Sequence, residues 1–228
     1  VPYIMPGFAL AKKAAEVYEE DPSVEGLILL GHGHFAFGQT AEKSYNQIIS
    51  HTQTVADYFN LENPTALNVK ASHSSHGVLP VIRGLIAEMI GPNAAMPIID
   101  VRNGPEEMKF LKRDDLESLS ERGTASPDHV IRIKGRPLVL RKSVWEQGRS
   151  AIKEALKDYE IEYKAMFERQ APKAAQPKTI LPPDPKTIWM EGVGLLGLGA
   201  NFKSASIAGD LVVQNARVRS VGEDAGGF

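Results

Sequence analysis

Gly26-Leu27-Ile28-Leu29-Leu30-Gly31, running on as His32-Gly33-His34-Phe35-Ala36-Phe37-Gly38, is the stretch on which the fold turns. Its first six residues form a continuous apolar run bounded by glycines. Such a run suits a strand buried on both faces of a sheet that helices cover. The glycine-punctuated second part turns the chain, and Thr40 is placed to cap the next helix. Beyond it Tyr45, Ile48, Ile49, Thr52, Val55, Ala56 and Phe59 recur on one face of that helix, which runs to about Asn60.

The alternation continues outward from this core. Phe8 to Glu20 has helical spacing at Leu10, Ala14, Val17 and Tyr18. Asp21-Pro22 stops it, because the residue before a proline is pushed out of the α region. Asn60 to Ser75 reads as loop, Leu79 to Ile90 as a short helix, Ala95 to Val101 as a strand, and Pro105 to Arg122 as one or two short helices. Val130 to Ile133 and Pro137 to Leu140 read as strands joined at Lys134-Gly135. Val144 to Gln170 reads as one long helix with Ile152, Leu156, Tyr159, Tyr163 and Phe167 on its stripe. A proline-rich connector, Ala171 to Pro185, leads to a strand from Thr187 to Glu191, then a glycine-rich turn and a helix from Asn201 to Val218. Strands alternating with helices predict an α/β fold with helices layered on a sheet.

The opening stretch has an echo 161 residues later. Leu27 to Gly38 aligns with Ile188-Trp189-Met190-Glu191-Gly192-Val193-Gly194-Leu195-Leu196-Gly197-Leu198-Gly199, and Thr40 then faces Asn201 as the cap. Either one supersecondary unit is duplicated, or a common strand–turn–helix pattern occurs twice. Where the first copy has His32, the second has Val193.

Composition narrows the chemistry. A formal net charge of -2 gives no broad basic field for nucleic acid. The basic runs Lys109–Arg113 and Arg132–Arg136 read as solvated surface. With no cysteine, any metal must be held by His, Asp or Glu. The longest apolar runs, such as Val193–Leu198, fall far short of the roughly 20 residues of a membrane span, and no signal segment opens the chain. A cytoplasmic location without membrane contact is the expectation. Val1 to Gly7 reads like the middle of a protein, and Gly222 to Phe228 like a linker.

Of the histidines, His32 is placed best: it ends a strand, and Gly31 and Gly33 leave room for a ligand to approach. It reads as a metal ligand or as a histidine packed in a turn with one hydrogen bond. His34 makes a His-x-His with it, although the turn disturbs that geometry. His51 lies off the apolar stripe and reads as solvent-facing, while His73 and His76 sit in a serine-rich loop. His129, in Ser126-Pro127-Asp128-His129-Val130, stands at a turn-to-strand entry beside a carboxylate, as a structural residue or a candidate catalytic one. Gly192-Val193-Gly194-Leu195-Leu196-Gly197 matches G-x-G-x-x-G, but the second strand and acidic residue of a dinucleotide site do not come after it.

The motif Gly26 to Gly38 with Ser44-Tyr45 resembles the class II aldolase/adducin family. It is most similar to the aldolase part of the bifunctional rhamnulose-1-phosphate aldolase/short-chain dehydrogenase branch. Val1 to Phe8, Thr124 to Arg132, Pro137-Leu138-Val139 and Ala208-Gly209-Asp210 carry the same resemblance. It implies a layered α/β/α class II aldolase-like fold, with residues 1–66 as the C-terminal half of a metal-binding lobe. Residues 67–228 are then a second, degenerate lobe ending in a linker.

The resemblance further implies zinc or another divalent metal held by three histidines, with His32 matching the third. The metal polarises a ketose 1-phosphate and stabilises the enediolate left when the carbon–carbon bond breaks. The H-x-H pair and the acidic residue of that pattern fall before Val1, so the fragment is expected to be inactive. His34 stands where an apolar residue is usual. The substrate is a sugar phosphate, the assembly a homo-oligomer, and NAD enters only if a dehydrogenase domain lies beyond Phe228. The alternatives are an adducin-like assembly module without catalysis, and a protein whose main activity is a fused NAD-dependent dehydrogenase.

Overall fold

The computed structural model describes residues 1–61, 77–174 and 176–227. The chain divides into two compact units, residues 1–66 with 125–127, and residues 67–124 with 128–228. The expected loop with His73 and His76 lies outside the described residues apart from its first positions.

The first unit is helix α1 (Phe8–Glu20), strands β1 (Gly26–Leu29) and β2 (Gly33–Ala36), and helix α2 (Ala41–Tyr58). β1 and β2 form an antiparallel hairpin with Gly26 opposite Ala36 and Leu29 opposite Gly33. Thr40 caps α2 by accepting from Lys43 N, so the expected cap is present. α1 packs on the hairpin through Tyr18, whose ring meets Phe37 edge-on at 5.3 Å. The expectation of a strand buried on both faces fails here. Among the described residues of this unit Leu29 is the one buried hydrophobic side chain, and Ile28 and Leu30 are exposed. The α2 stripe is likewise open at Tyr45, Ile49 and Val55.

The second unit is built on a four-stranded sheet. Its elements are α3 (Val78–Ile90), β3 (Ile98–Arg102), α4 (Pro105–Phe110), α5 (Leu116–Glu121), α6 (Pro127–Ile133), β4 (Leu138–Leu140), α7 (Lys142–Trp145), α8 (Arg149–Gln170), β5 (Thr187–Met190), β6 (Gly194–Gly199) and α9 (Phe202–Asp224). The strand order is β3-β6-β5-β4. β4 and β5 run parallel, whereas β5–β6 and β6–β3 are antiparallel.

Alternation along the strands builds a core on each face. Ile188, Met190, Leu196 and Leu198 pack with Ile82, Leu85 and Ile86 of α3 and Ile152, Leu156 and Tyr159 of α8. Trp189 and Leu195 point the other way, onto Phe110, Leu111, Leu116, Leu119 and the α9 residues Val212 and Ala216. Helices thus cover both faces, and this unit is a three-layer α/β/α sandwich. Each such side chain contributes about 1.5–3 kcal/mol on burial.

Four local expectations are corrected. Val130 to Ile133 is the end of helix α6, not a strand. Pro127 and Asp128 favour a helical first turn, and His129 and Ile133, four apart, are its buried residues. The long helix expected from Val144 is broken at Gly148, whose φ of 95° is outside the helical region. The glycine-rich turn after Glu191 is short, and Gly194 to Gly199 forms an inner strand of the sheet. The linker expected from Gly222 continues α9 as far as Asp224.

Candidate functional site

The tip of the β1–β2 hairpin sets the position of His32. Gly31 and Gly33 take φ values of 73° and 140°, in the region that favours glycine, and His32 N closes the turn on Leu29 O at 3.0 Å. A methyl group on Gly31 would lie 2.9 Å from Tyr3 Cδ2. The Tyr3 ring therefore seats on the turn, where it stacks on the half-buried His32 imidazole at 5.0 Å and 6°. His32 Nε2 lies 2.7 Å from Ile4 O. A carbonyl only accepts, so Nε2 carries a proton, and in the neutral ring the lone pair is on Nδ1.

His34 and His51 form a second histidine contact, with Nε2 of one 2.9 Å from Nδ1 of the other. His51 is thus half-buried and paired, not the solvent-facing residue expected. His32 and His34 belong to the same unit but bond to different partners. Among the described residues no group of three His, Cys, Asp or Glu could hold a metal ion.

The β5–β6 hairpin repeats the local geometry. Gly192 and Gly194 have φ values of 78° and 149°. Val193 N bonds Met190 O at 3.1 Å, and Asn201 caps α9 with a reciprocal Ser204 contact. Val193 is buried where His32 is half-exposed. The G-x-G-x-x-G glycines belong to this hairpin, and a phosphate loop leading into a helix is not what they form.

His129, the candidate catalytic residue, sits in α6 of the second unit and is buried. Desolvation lowers its pKa, against the opposing effects of a Gln214 hydrogen bond and the Asp128 charge. Burial thus favours its neutral imidazole form. His32 belongs to the other unit.

Two buried cations carry no local mark in the sequence. Arg219 is 2% exposed, stacks over Trp189 at 5.1 Å, and donates to the carbonyls of Ser120, Gly123 and Gly135. Burial pushes its pKa down to about 10. Lys134, expected at the surface, is buried with a left-handed φ of 62°. Its Nζ donates to Pro182 O and Asp184 O at 2.5 and 2.7 Å and lies 4.1 Å from the centre of the Tyr163 ring.

Desolvation lowers the Lys134 pKa to about 8, with the nearby Lys186 adding to it and Asp184 opposing. An unfolded lysine titrates near about 10.4. Between these values the unfolded chain binds more protons, so stability rises with pH from about 8 to about 10. The contribution is lost as pH falls through 8, and amounts to at most about 3 kcal/mol. Above about pH 10 the raised Tyr159 phenol lowers stability with pH while the lowered Arg219 raises it, so the Lys134 rise is read below that pH. Urea denaturation across pH 7–10 should show the rise in the native protein and a flat profile in Lys134→Met.

Among the described residues no helix is long and apolar enough to cross a membrane. A family model described as "Aldolase class II, second domain" matches residues 73–228. The chain is similar to "Uncharacterized oxidoreductase YuxG" of Bacillus subtilis (strain 168), at 26% identity over 226 residues, which is 92% of this chain and 32% of the relative. The chain thus spans about a third of that relative's length. No solved structure matches. The matched stretch holds all the described residues of the sandwich from α3 to α9, and by that match the chain belongs to the class II aldolase family.

Proposed function

We propose that this chain is part of a metal-dependent class II aldolase that cleaves a ketose 1-phosphate of the rhamnulose-1-phosphate type to dihydroxyacetone phosphate and an aldehyde. His32 is one ligand of its divalent metal, zinc in the usual case. The observation that carries this reading is the His32–Ile4 contact. A ligating histidine characteristically donates its other ring N–H to a carbonyl, which fixes the tautomer and the ring plane. The Tyr3 stack and the rigid hairpin tip add to that preorganisation. The described residues do not make a metal site by themselves, since His32 brings one ligand and a zinc enzyme needs three with an open position. The other ligands come from outside the described residues.

In this reading residues 1–66 are the C-terminal half of the metal-bearing lobe, and residues 67–228 are a second lobe of the same plan. The similar turn angles, registers and cap positions of the two hairpins support it. Val193 in place of His32 leaves the second lobe without that ligand. The working enzyme is a homo-oligomer.

The test uses a longer polypeptide that contains this chain. Zinc content and cleavage of rhamnulose 1-phosphate are measured in the native protein and in His32→Ala. The expected result is loss of metal and at least a hundredfold lower kcat/KM, with stability lowered by about 1–3 kcal/mol as the Tyr3 stack and the Ile4 hydrogen bond are lost. Cleavage that survives both EDTA and His32→Ala would sink the proposal. The relative's name favours a second reading, in which the longer protein is an NAD-dependent dehydrogenase. Aldehyde-dependent NAD reduction indifferent to EDTA and to His32→Ala would support that one.

A further inference from the structure

The hairpin tip fixes where the His32 side chain starts but not how its ring is turned. Rotation about Cβ–Cγ is soft for histidine, with broad wells in place of three staggered ones. The hydrogen bond from Nε2 to Ile4 O, at 2.7 Å, holds one point of the ring. Nε2 lies nearer the Cβ–Cγ axis than Nδ1 does, so pinning it still lets Nδ1 swing through an arc. The Tyr3 ring removes that freedom. Its plane lies within 6° of the imidazole plane at a centroid separation of 5.0 Å, an offset stack. Turning the imidazole about its axis drives one of its edges into that face.

Tyr3 is itself 52% exposed, so burial does not hold its ring. Contacts on three sides do. One face lies on His32. One edge rests on the turn, where a methyl on Gly31 would come 2.9 Å from Tyr3 Cδ2. The far end is tied by the hydroxyl, which donates to Met5 Sδ at 3.3 Å. That oxygen is the atom farthest from Cβ, so a bond there resists side-chain swing with the longest lever. A thioether is a weak acceptor on a flexible side chain, and the tie is a light one. Backbone pairing brings the parts together: Leu30 N donates to Val1 O at 3.0 Å and lays the start of the chain beside β1. Consecutive residues then supply the stacking ring, the carbonyl and the sulfur.

We propose that Tyr3 is a positioning residue for His32, with Met5 as the tie that keeps it in place. The Tyr3 ring sets the direction in which Nδ1 points, and so the side from which a metal is met. It acts through the imidazole and not on the metal itself. This role rests on the reading of His32 as a metal ligand and adds the side chains that orient it. The β5–β6 hairpin supplies a contrast. An aromatic ring also seats on its tip, where a methyl on Gly192 would lie 3.8 Å from Trp145 Cζ2. There the tip residue is Val193, and Trp145 Nε1 donates at 2.9 Å to the backbone, to Glu191 O. The stack on a tip imidazole and the tie to a neighbouring sulfur belong to the hairpin that carries the histidine.

NMR relaxation of the His32 ring C–H groups is measured in the metal-free 228-residue chain. The expected order parameter is about 0.85 in the native chain and below about 0.6 in Tyr3→Leu. Tyr3→Phe, which keeps the ring, should stay near the native value. Zinc affinity is then measured in a longer polypeptide that contains this chain. Tyr3→Leu should bind zinc about 10–100-fold more weakly, the usual loss for a residue that orients a ligand, and Tyr3→Phe should recover most of it. Tyr3→Phe and Met5→Leu remove the same bond, so each should weaken zinc slightly and equally, and the double variant no further. Additive losses overturn the role of Met5. A His32 ring as ordered in Tyr3→Leu as in the native chain overturns the proposal. So does native zinc affinity in Tyr3→Leu beside zinc loss in His32→Ala. If His32→Ala keeps its zinc, the ligand reading fails, and ring order in the short chain still decides whether Tyr3 holds the imidazole.

Discussion

Trp189→Ala should lower the unfolding free energy of the second unit by about 4 kcal/mol, within the range for emptying a large aromatic site. Trp189 is fully buried at the centre of β5. Phe110 meets its ring edge-on at 4.8 Å, and the Arg219 guanidinium lies over it at 5.1 Å. Truncation removes the packing and opens a cavity in the face that α4, α5 and α9 seal. It also strips a desolvated cation of the ring that favours its charge. Arg219 would still hold the carbonyls of Ser120, Gly123 and Gly135, so the loss falls short of collapse. Trp189→Phe keeps much of the contact and should cost about half as much. Urea unfolding monitored by circular dichroism measures both. A cost below about 1 kcal/mol for the alanine variant would mean that this face does not depend on the ring.

Gly197→Ala should cost about 3 kcal/mol or more, although it adds a single methyl group. Gly197 lies in β6 where α9 crosses it. A methyl there would overlap the Gly209 nitrogen and lie 2.7 Å from both Ala205 O and the Ala208 carbonyl carbon. All three are backbone atoms, which cannot swing aside as a side chain can. Gly209 is tight on its other side, where a methyl would strike the Asp100 carboxylate and come within 3.0 Å of Arg102 Nε. The control is Gly84→Ala in α3, where the nearest atom is an arginine tip at 3.9 Å. It should raise stability by roughly 0.5–1 kcal/mol through helix propensity. Thermal melts of the three proteins test this ordering, and a neutral Gly197→Ala would mean that strand and helix can separate without cost.

These glycines also explain why part of the fold is illegible in the sequence. Gly194-Leu195-Leu196-Gly197-Leu198-Gly199 reads as a turn, because glycine weakens strands and has no side chain to pack. It is a strand because a helix backbone lies against it, and that partner begins only after the strand ends. Val130 to Ile133 shows the converse. Its β-branched residues favour strand locally, yet Pro127 and Asp128 start a helix whose buried positions lie four apart. The apolar run at Gly26 reads as doubly buried on its composition, while burial depends on neighbours that the run itself does not specify.

The candidate site divides in the same way. The placement of His32 at a glycine-flanked tip comes from local chain geometry, and so do the Thr40 and Asn201 caps. Its carbonyl partner Ile4 and its stacking partner Tyr3 are far away in sequence. So are the partners in the His34–His51 contact, which spans strand and helix.

Local sequence was enough for the α/β class, the positions of α1, α2, α3 and β5, the turn that presents His32, and its likeness to the turn at Val193. Each depends on residues within a few positions of one another, where periodicity, glycine and capping chemistry act. Long-range packing supplied the rest: the strand order β3-β6-β5-β4, the burial of Arg219 and Lys134, and the exposure of Ile28 and Phe35. Those depend on the partner that a strand edge, a charge or an apolar face finds across the fold, and pairing and desolvation energies are set by that partner.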